Sequence, residues 1–177
     1  MKREIELKIL NLDLQEFEKK LIDLGATFLG EENQKNIRIN STGHKIYKKD
    51  GYLRVRITKT KDSTINYLTF KENLSNVNVR DNMEHTITFD DVNELLTILK
   101  LMGYDKQYPG EKYRRKYQYK DFIIDLDTWD KATYPYPYAE IEGPSEEEIY
   151  KFAKMLGISQ EDISTLSISE LIKTLKK

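Results

Sequence analysis

Charges recur at every second position in seven short segments of this sequence, with aliphatic residues between most of them. Glu4, Glu6 and Lys8 alternate with Ile5, Leu7 and Ile9, and Arg54 and Arg56 alternate with Leu53, Val55 and Ile57. Lys71 opposes Leu68 and Phe70, Arg80 and Glu84 flank Asn82 in register, and Lys112 and Arg114 share one face. Asp125 and Asp127 oppose Ile124 and Leu126, while Glu140 and Glu142 oppose Ala139 and Ile141. Side chains alternate across a β-strand, so each segment predicts a strand with a charged face. The acids Glu4, Glu6, Glu84, Asp127, Glu140 and Glu142 are hard oxygen ligands of the kind that Mg²⁺ or Mn²⁺ takes. The bases Lys8, Arg54, Arg56, Lys71, Arg80, Lys112 and Arg114 supply forked and point-charge donors for a polyanion with several phosphoryl groups. Together the two sets describe a site for a metal-bound phosphate chain.

The elements that must position these groups follow from periodicity and turn chemistry. A strand over 2–10 leads to Asp13 as N-cap, and Leu14, Phe17, Leu21 and Leu24 predict a helix over 14–24 stopped by Gly25. Extended chain follows over 27–39, and turns at Ser41-Thr42-Gly43 and Asp50-Gly51 flank a short segment near 44–49. Strands over 52–59 and 65–72 form a hairpin, and a further extended run covers 77–89. Asp91 caps a helix over 92–102 that Gly103 ends. Pro109-Gly110 is expected to break the chain before a strand over 111–119, which returns over 122–127. A strand over 138–142 precedes two capping boxes, Ser145 with Glu148 and Ser167 with Glu170, which open helices over 146–156 and 168–175.

A sheet with one solvated face would alternate in the same way. Two features favour an inward charged face instead. Arginines and short carboxylates dominate the strand faces, whereas most lysines lie in helices and turns, and three helices carry enough apolar stripe to cover a curled sheet from outside. The expected fold is α+β, a closed or nearly closed barrel with a charged lumen. Ions there lose hydration and need partners, so function is the stronger reason for their presence.

With 177 residues, the expected organisation is a single domain over 1–177. The 29 basic residues nearly balance 30 acids, for a net charge of −1, which leaves no basic face for nucleic acid or an anionic membrane. Mean hydropathy is −0.68 and no apolar run approaches a membrane span, so a soluble protein is expected. Zero cysteines and an acid at position 4, where a signal peptide would be apolar, point to the cytoplasm. Two histidines, His44 and His85, do not make a structural zinc site and read as surface residues. Gly25 to Gly30 has P-loop spacing, but Glu31 stands where lysine is required. Trp129, Tyr134, Tyr136 and Tyr138 read first as anchors of a proline-bearing loop and second as a stacking surface. The oligomeric state stays open, a homodimer included.

Glu4-Ile5-Glu6-Leu7-Lys8 matches the Glu-x-Glu-x-Lys signature of the CYTH superfamily, the triphosphate tunnel metalloenzymes. Leu53-Arg54-Val55-Arg56, Leu68-Thr69-Phe70-Lys71, Lys112-Tyr113-Arg114, Asp127-Thr128-Trp129 and Glu140-Ile141-Glu142-Gly143 resemble the later motifs of that family in the same order. The resemblance covers essentially the whole chain. It implies an eight-stranded antiparallel β-barrel, a tunnel with helices packed outside, basic residues on a triphosphate and carboxylates on Mg²⁺ or Mn²⁺. In that reading Glu4, Glu6, Lys8 and Lys112 carry catalysis, and Lys8, Arg54, Arg56, Lys71, Arg80, Lys112 and Arg114 bind substrate. The implied activity is metal-dependent hydrolysis of a triphosphate: inorganic tripolyphosphate, thiamine triphosphate or a nucleoside triphosphate. The alternatives are a class IV adenylyl cyclase that makes cyclic AMP from ATP, and a non-catalytic polyphosphate- or nucleotide-binding module. Two departures stand out. Asn82 replaces a carboxylate of the family pattern, and Arg38-Ile39-Asn40 replaces the end of its Gln-x-Asn-x-Tyr-Phe-Asp stretch.

Overall fold

Apolar faces that alternate with charged ones can be buried only if something covers them, and the outer helices do so. The computed structural model describes residues 1–43 and 50–175; the segment predicted near 44–49, with His44, lies outside the described residues. The strands are β1 (Lys2–Ile9), β2 (Thr27–Asn40), β3 (Gly51–Lys59), β4 (Thr64–Ser75), β5 (Arg80–Phe89), β6 (Lys106–Tyr119), β7 (Phe122–Trp129), β8 (Tyr138–Glu142) and the short β9 (Ile163–Ser164). The helices are α1 (Leu14–Asp23), α2 (Val92–Leu101), α3 (Glu146–Met155) and α4 (Ile168–Leu175).

All strand pairings are antiparallel, and the order β5-β4-β3-β2-β6-β7-β8-β1 closes through a β1–β5 pairing into an eight-stranded barrel. The N-terminal half of β1 pairs with β5, and β9 pairs with Lys8 and Ile9 of β1. The α+β tunnel expected from the charged alternation is therefore the observed architecture. Among the described residues no helix is long and apolar enough to cross a membrane.

The outward faces form the core. Leu7, Ile9, Ile124, Leu126, Ala139 and Ile141 pack beneath Phe17 and Leu21 of α1 and Ile149, Phe152 and Leu156 of α3. A second cluster sets Ile37, Ile39 and Val55 beneath Leu99 of α2. A third brings Leu171 of α4 onto Tyr134, Tyr138 and Trp129, so these aromatics do anchor their loop. Each fully buried aliphatic of this kind contributes about 1.5–3 kcal/mol, which is the surplus that lets the interior be ionic. The helices start where their caps require: Asp13 Oδ1 accepts from the amides of Gln15 and Glu16 at 2.8 and 3.0 Å, and Asp91 Oδ1 accepts from Glu94 at 2.9 Å.

One sequence expectation is corrected. Pro109-Gly110 does not break the chain, because β6 runs through both residues. Residues 106–111 of β6 pair with β2 alone, since β7 joins only from Lys112 onward, so the proline ring occupies an open edge where no ladder donor is lost. His85 lies on the outer face, its Nε2 4.0 Å from Glu72. A Cβ at Gly143 would stand 2.7 Å from Ile149 and 2.8 Å from the Phe122 ring, where strand β8 meets α3. Gly143→Ala is accordingly expected to cost about 1–3 kcal/mol of stability by overpacking, read as a lower urea midpoint at unchanged slope.

Candidate active site

Register decides which charges meet. Lys2, Glu4 and Glu6 lie across from Glu84, Asn82 and Arg80, while Glu6 and Lys8 lie across from Glu142 and Glu140. Arg114 lies across from Asp127, Lys71 across from Glu84, and Arg56 across from Asn36. Every acid and base singled out by alternation borders one cavity of about 660 Å³, with the exception of Asp127, which is fully buried in the wall behind Arg114.

The lumen sorts into two ionic clusters. In the first, Lys71 Nζ donates to Glu4 Oε2 at 2.8 Å and Glu6 Oε1 at 3.1 Å and sits 3.3 Å from Glu84 Oε1. Burial opposes that charge, but Glu6, Glu4 and Glu84 outweigh it and hold the ammonium above its ordinary range. Asn82 donates from Nδ2 to Glu6 Oε1 at 3.4 Å and accepts from Asn73 at 3.3 Å. The amide thus contributes a neutral donor where a further carboxylate would have repelled Glu6.

In the second cluster Arg114 forks onto Asp127, with Nε to Oδ1 and Nη2 to Oδ2 both at 2.6 Å, and also bonds Asp125 and Glu140. Burial disfavours its charge, and Asp127 and Asp125 more than restore it. Glu140, also held by Lys8 at 3.0 Å, is kept well below the usual carboxylate range because Lys8 and Arg114 overcome burial. Lys112 Nζ bonds Asp127 Oδ2 at 2.7 Å and stands over the Trp129 ring at 5.4 Å. Complete burial and the Arg114 charge nevertheless push Lys112 down to about 7.

A titration prediction follows from Lys112. At pH 8 the ammonium is mostly deprotonated in the free protein, and a polyanion that favours its charged form must draw in a proton. Calorimetry of tripolyphosphate binding at pH 8, in buffers of different ionisation enthalpy, is expected to show net proton uptake that shrinks towards pH 6. Identical heats in all buffers at pH 8 would sink this.

Other bases are left under-used. Among the described residues Arg54 Nε and Arg80 Nε are buried without a hydrogen-bond partner, and the nearest carboxylates stand 3.6 Å from Arg54 Nη2 and 3.8 Å from Arg80 Nε. Arg56 Nε donates to Asn36 at 2.7 Å, and burial with the nearby Arg54 and Arg114 charges lowers it to about 10. These guanidiniums repel one another across a cavity and gain from an anion between them.

The carboxylates carry the opposite strain. Glu142 is raised above its ordinary value by burial and by the charges of Glu4 and Glu6, although Lys2 bonds it at 2.7 Å. Such a trio of hard oxygen donors fits a divalent cation, which would relieve their repulsion. Among the described residues no three carboxylates converge on one point, since Lys71, Lys2, Lys8 and Arg114 hold them apart. Asp127, fully buried under three donated bonds, serves Lys112 and Arg114.

Sequence reasoning missed several lumen residues. Asn36 was visible only through the resemblance, although Gln34, Asn36 and Arg38 alternate with Ile37 and Ile39 and so carry the same signal with weaker charges. Tyr52, stacked by Arg38 at 5.4 Å and Arg54 at 6.0 Å, continues the face of Arg54 and Arg56. Ser169 of α4, which accepts from Arg38, carried no signal at all.

A closed antiparallel tunnel lined by facing acids and bases, with its hydrophobic core outside, defines the class of protein. The chain belongs to the CYTH domain family, whose model matches residues 2–167. No curated protein matches the sequence. Among solved structures, a Pyrococcus horikoshii protein is 24% identical over 95% of this chain and 98% of its own, with a TM-score of 0.79. A Vibrio parahaemolyticus protein assigned as a candidate adenylate cyclase is 17% identical, covering 96% of this chain and 97% of its own, at a TM-score of 0.78. A Hippeastrum candidate adenylyl cyclase with a dominant triphosphatase activity is 14% identical, covering 93% and 91%, at 0.65. At these identities the likeness is one of fold.

Proposed function

We propose that the protein is a divalent-metal-dependent triphosphatase whose substrate lies in the barrel lumen. The observation that carries this reading is that Arg54 Nε and Arg80 Nε, buried and without a hydrogen-bond partner among the described residues, belong to side chains that line a cavity with Arg56. A phosphate chain satisfies all three guanidiniums, and membership of the CYTH family, with a triphosphatase among its structural neighbours, supports the same anion.

The roles divide by partnership. Arg54, Arg56 and Arg80 grip phosphoryl oxygens, while Lys8, Lys71, Lys112 and Arg114, already held by carboxylates, are fixed in place to meet charge that develops during displacement. Glu4, Glu6 and Glu142, with Glu84 and Glu140 beside them, would hold Mg²⁺ or Mn²⁺. When bound, such a cation supplies Lewis-acid polarisation of phosphoryl oxygens and a more acidic water. Preorganisation comes from the sheet, which holds each donor at a ladder position rather than on a loop.

The test is purified protein with Mg²⁺ or Mn²⁺ and, separately, tripolyphosphate and ATP, with phosphate and cyclic AMP followed together. Phosphate without cyclic AMP is the expected result. Cyclic AMP from ATP would replace this reading with a cyclase, and binding of both ligands without any product would replace it with a binding module.

A further inference from the structure

Arg38 lies on β2, one strand away from the guanidiniums assigned above, and it borders the same cavity. It sits directly across from Arg54, and two residues back along β2 Asn36 sits across from Arg56. Arg38 is exposed while Arg54 and Arg56 are half-buried, so the three guanidiniums form a row that runs from solvent into the lumen. Like charges directly across a ladder oppose each other. Two contacts hold Arg38 in spite of that. Its Nη1 donates to the Ser169 hydroxyl of α4, and its guanidinium lies over the Tyr52 ring at 5.4 Å. Neither partner is an anion, so neither contact neutralises the charge.

Tyr52 takes Arg54 as well, at 6.0 Å from the same ring. One aromatic ring thus attracts two guanidiniums that repel each other, and keeps them side by side. The ring itself is firmly placed. Tyr52 lies across from Lys71, and Gly51 brings the start of β3 so close to β4 that a Cβ there would stand 2.8 Å from the Lys71 carbonyl oxygen. Burial opposes ionisation of the Tyr52 phenol, yet the charges of Arg54, Lys71 and Arg80 outweigh it and bring the phenol below its ordinary value, which marks this part of the lumen as positive. The bond to Ser169 uses Nη1 and leaves the other N–H donors of the Arg38 fork to a further acceptor. Docking of α4 does not depend on it, since Leu171 seats that helix on Tyr134 and Tyr138. An anion between Arg38 and Arg54 meets donors from both and removes their repulsion.

Resting on the triphosphate reading above, we propose that Arg38 is a further binding residue for the phosphate chain and that Tyr52 is its positioning residue, holding Arg38 and Arg54 on one phosphoryl group at the solvent end of the row.

The test is calorimetric affinity of the whole protein for tripolyphosphate without metal, in the parent and in Arg38→Gln, Ser169→Ala, Tyr52→Phe, Tyr52→Leu and Arg54→Gln. Arg38→Gln, at an exposed position, is expected to weaken binding about tenfold. Ser169→Ala removes the bond to α4 and keeps the charge, so affinity should stay within about twofold. Tyr52→Phe keeps the ring and should match the parent within about twofold, whereas Tyr52→Leu should lose about fivefold. Arg38→Gln within about twofold of the parent overturns the binding role, and so do equal losses in Arg38→Gln and Ser169→Ala, which would make Arg38 a tether of α4 only. Equal affinities for Tyr52→Phe and Tyr52→Leu overturn the positioning role. A loss in Arg54→Gln without one in Arg38→Gln removes this inference alone, whereas a parent with no affinity for tripolyphosphate removes the triphosphate reading with it.

Discussion

Glu6→Gln is expected to lower metal-dependent hydrolysis by at least about a hundredfold while tripolyphosphate affinity measured without metal stays level or rises. The carboxylate is buried and accepts from Lys71 at 3.1 Å and Asn82 at 3.4 Å, yet a second oxygen remains for a cation. An amide keeps the shape and loses the charge. Lys71 still has Glu4 and Glu84, so the ionic cluster survives the change. The loss therefore falls on the step that needs a hard anionic ligand, where removal of one charge-stabilising group is worth about 10²–10³ in rate. Removing a negative charge from the lumen also favours an incoming polyanion. Activity within about threefold of the parent would remove Glu6 from the metal set.

Arg114→Met gives the largest expected loss of stability, about 3–5 kcal/mol. Its guanidinium satisfies Asp127, Asp125 and Glu140 together, and Asp127 has no solvent to fall back on. Lys112 and Lys8 remain as partners, but the forked bonds to Asp127 go. Combining the change with Asp127→Asn removes the stranded charge and should recover part of the loss, a coupling that a double-mutant cycle in urea isolates. A single-variant cost below about 1 kcal/mol would mean that the lumen ions are solvated far more than their burial implies.

Much of the barrel and its lining was legible because charge at period two is a physical statement about faces. Once Arg54 and Arg56, Glu4 and Glu6, and Glu140 and Glu142 are assigned to faces, a curled sheet with an inward charged face under three amphipathic helices follows from the need to bury the other side, whereas the strand count and the closure came from the family resemblance. The pairing of acids with bases was not legible. Whether Lys71 meets Glu4 or Asp125 depends on strand order and shear, which arise from contacts between residues far apart in sequence. Pro109 was misjudged for a related reason, since local turn chemistry says nothing about which edge of a strand lacks a neighbour. The position of α4 at one mouth was likewise hidden. Its capping box and stripe announce a helix, whereas Leu171 seated on Tyr134 and Tyr138 decides where it lies.

The way β1 is shared bears on when this protein can fold. Lys2–Glu6 pair with β5, Glu6–Ile9 with β8, and Lys8 and Ile9 with β9, so β1 waits for partners as distant as Ser164. Contacts of such sequence separation slow folding because loop closure precedes the reward. Until β5 is made the strand bearing Glu4, Glu6 and Lys8 is an unpaired edge on both sides, and the side that takes β8 stays open until residues 138–142 follow. Its ionic face then acts as a guard, since alternating charges on an open edge discourage pairing with a neighbouring nascent chain. The residues that line the finished tunnel thus also keep the unfinished one from aggregating.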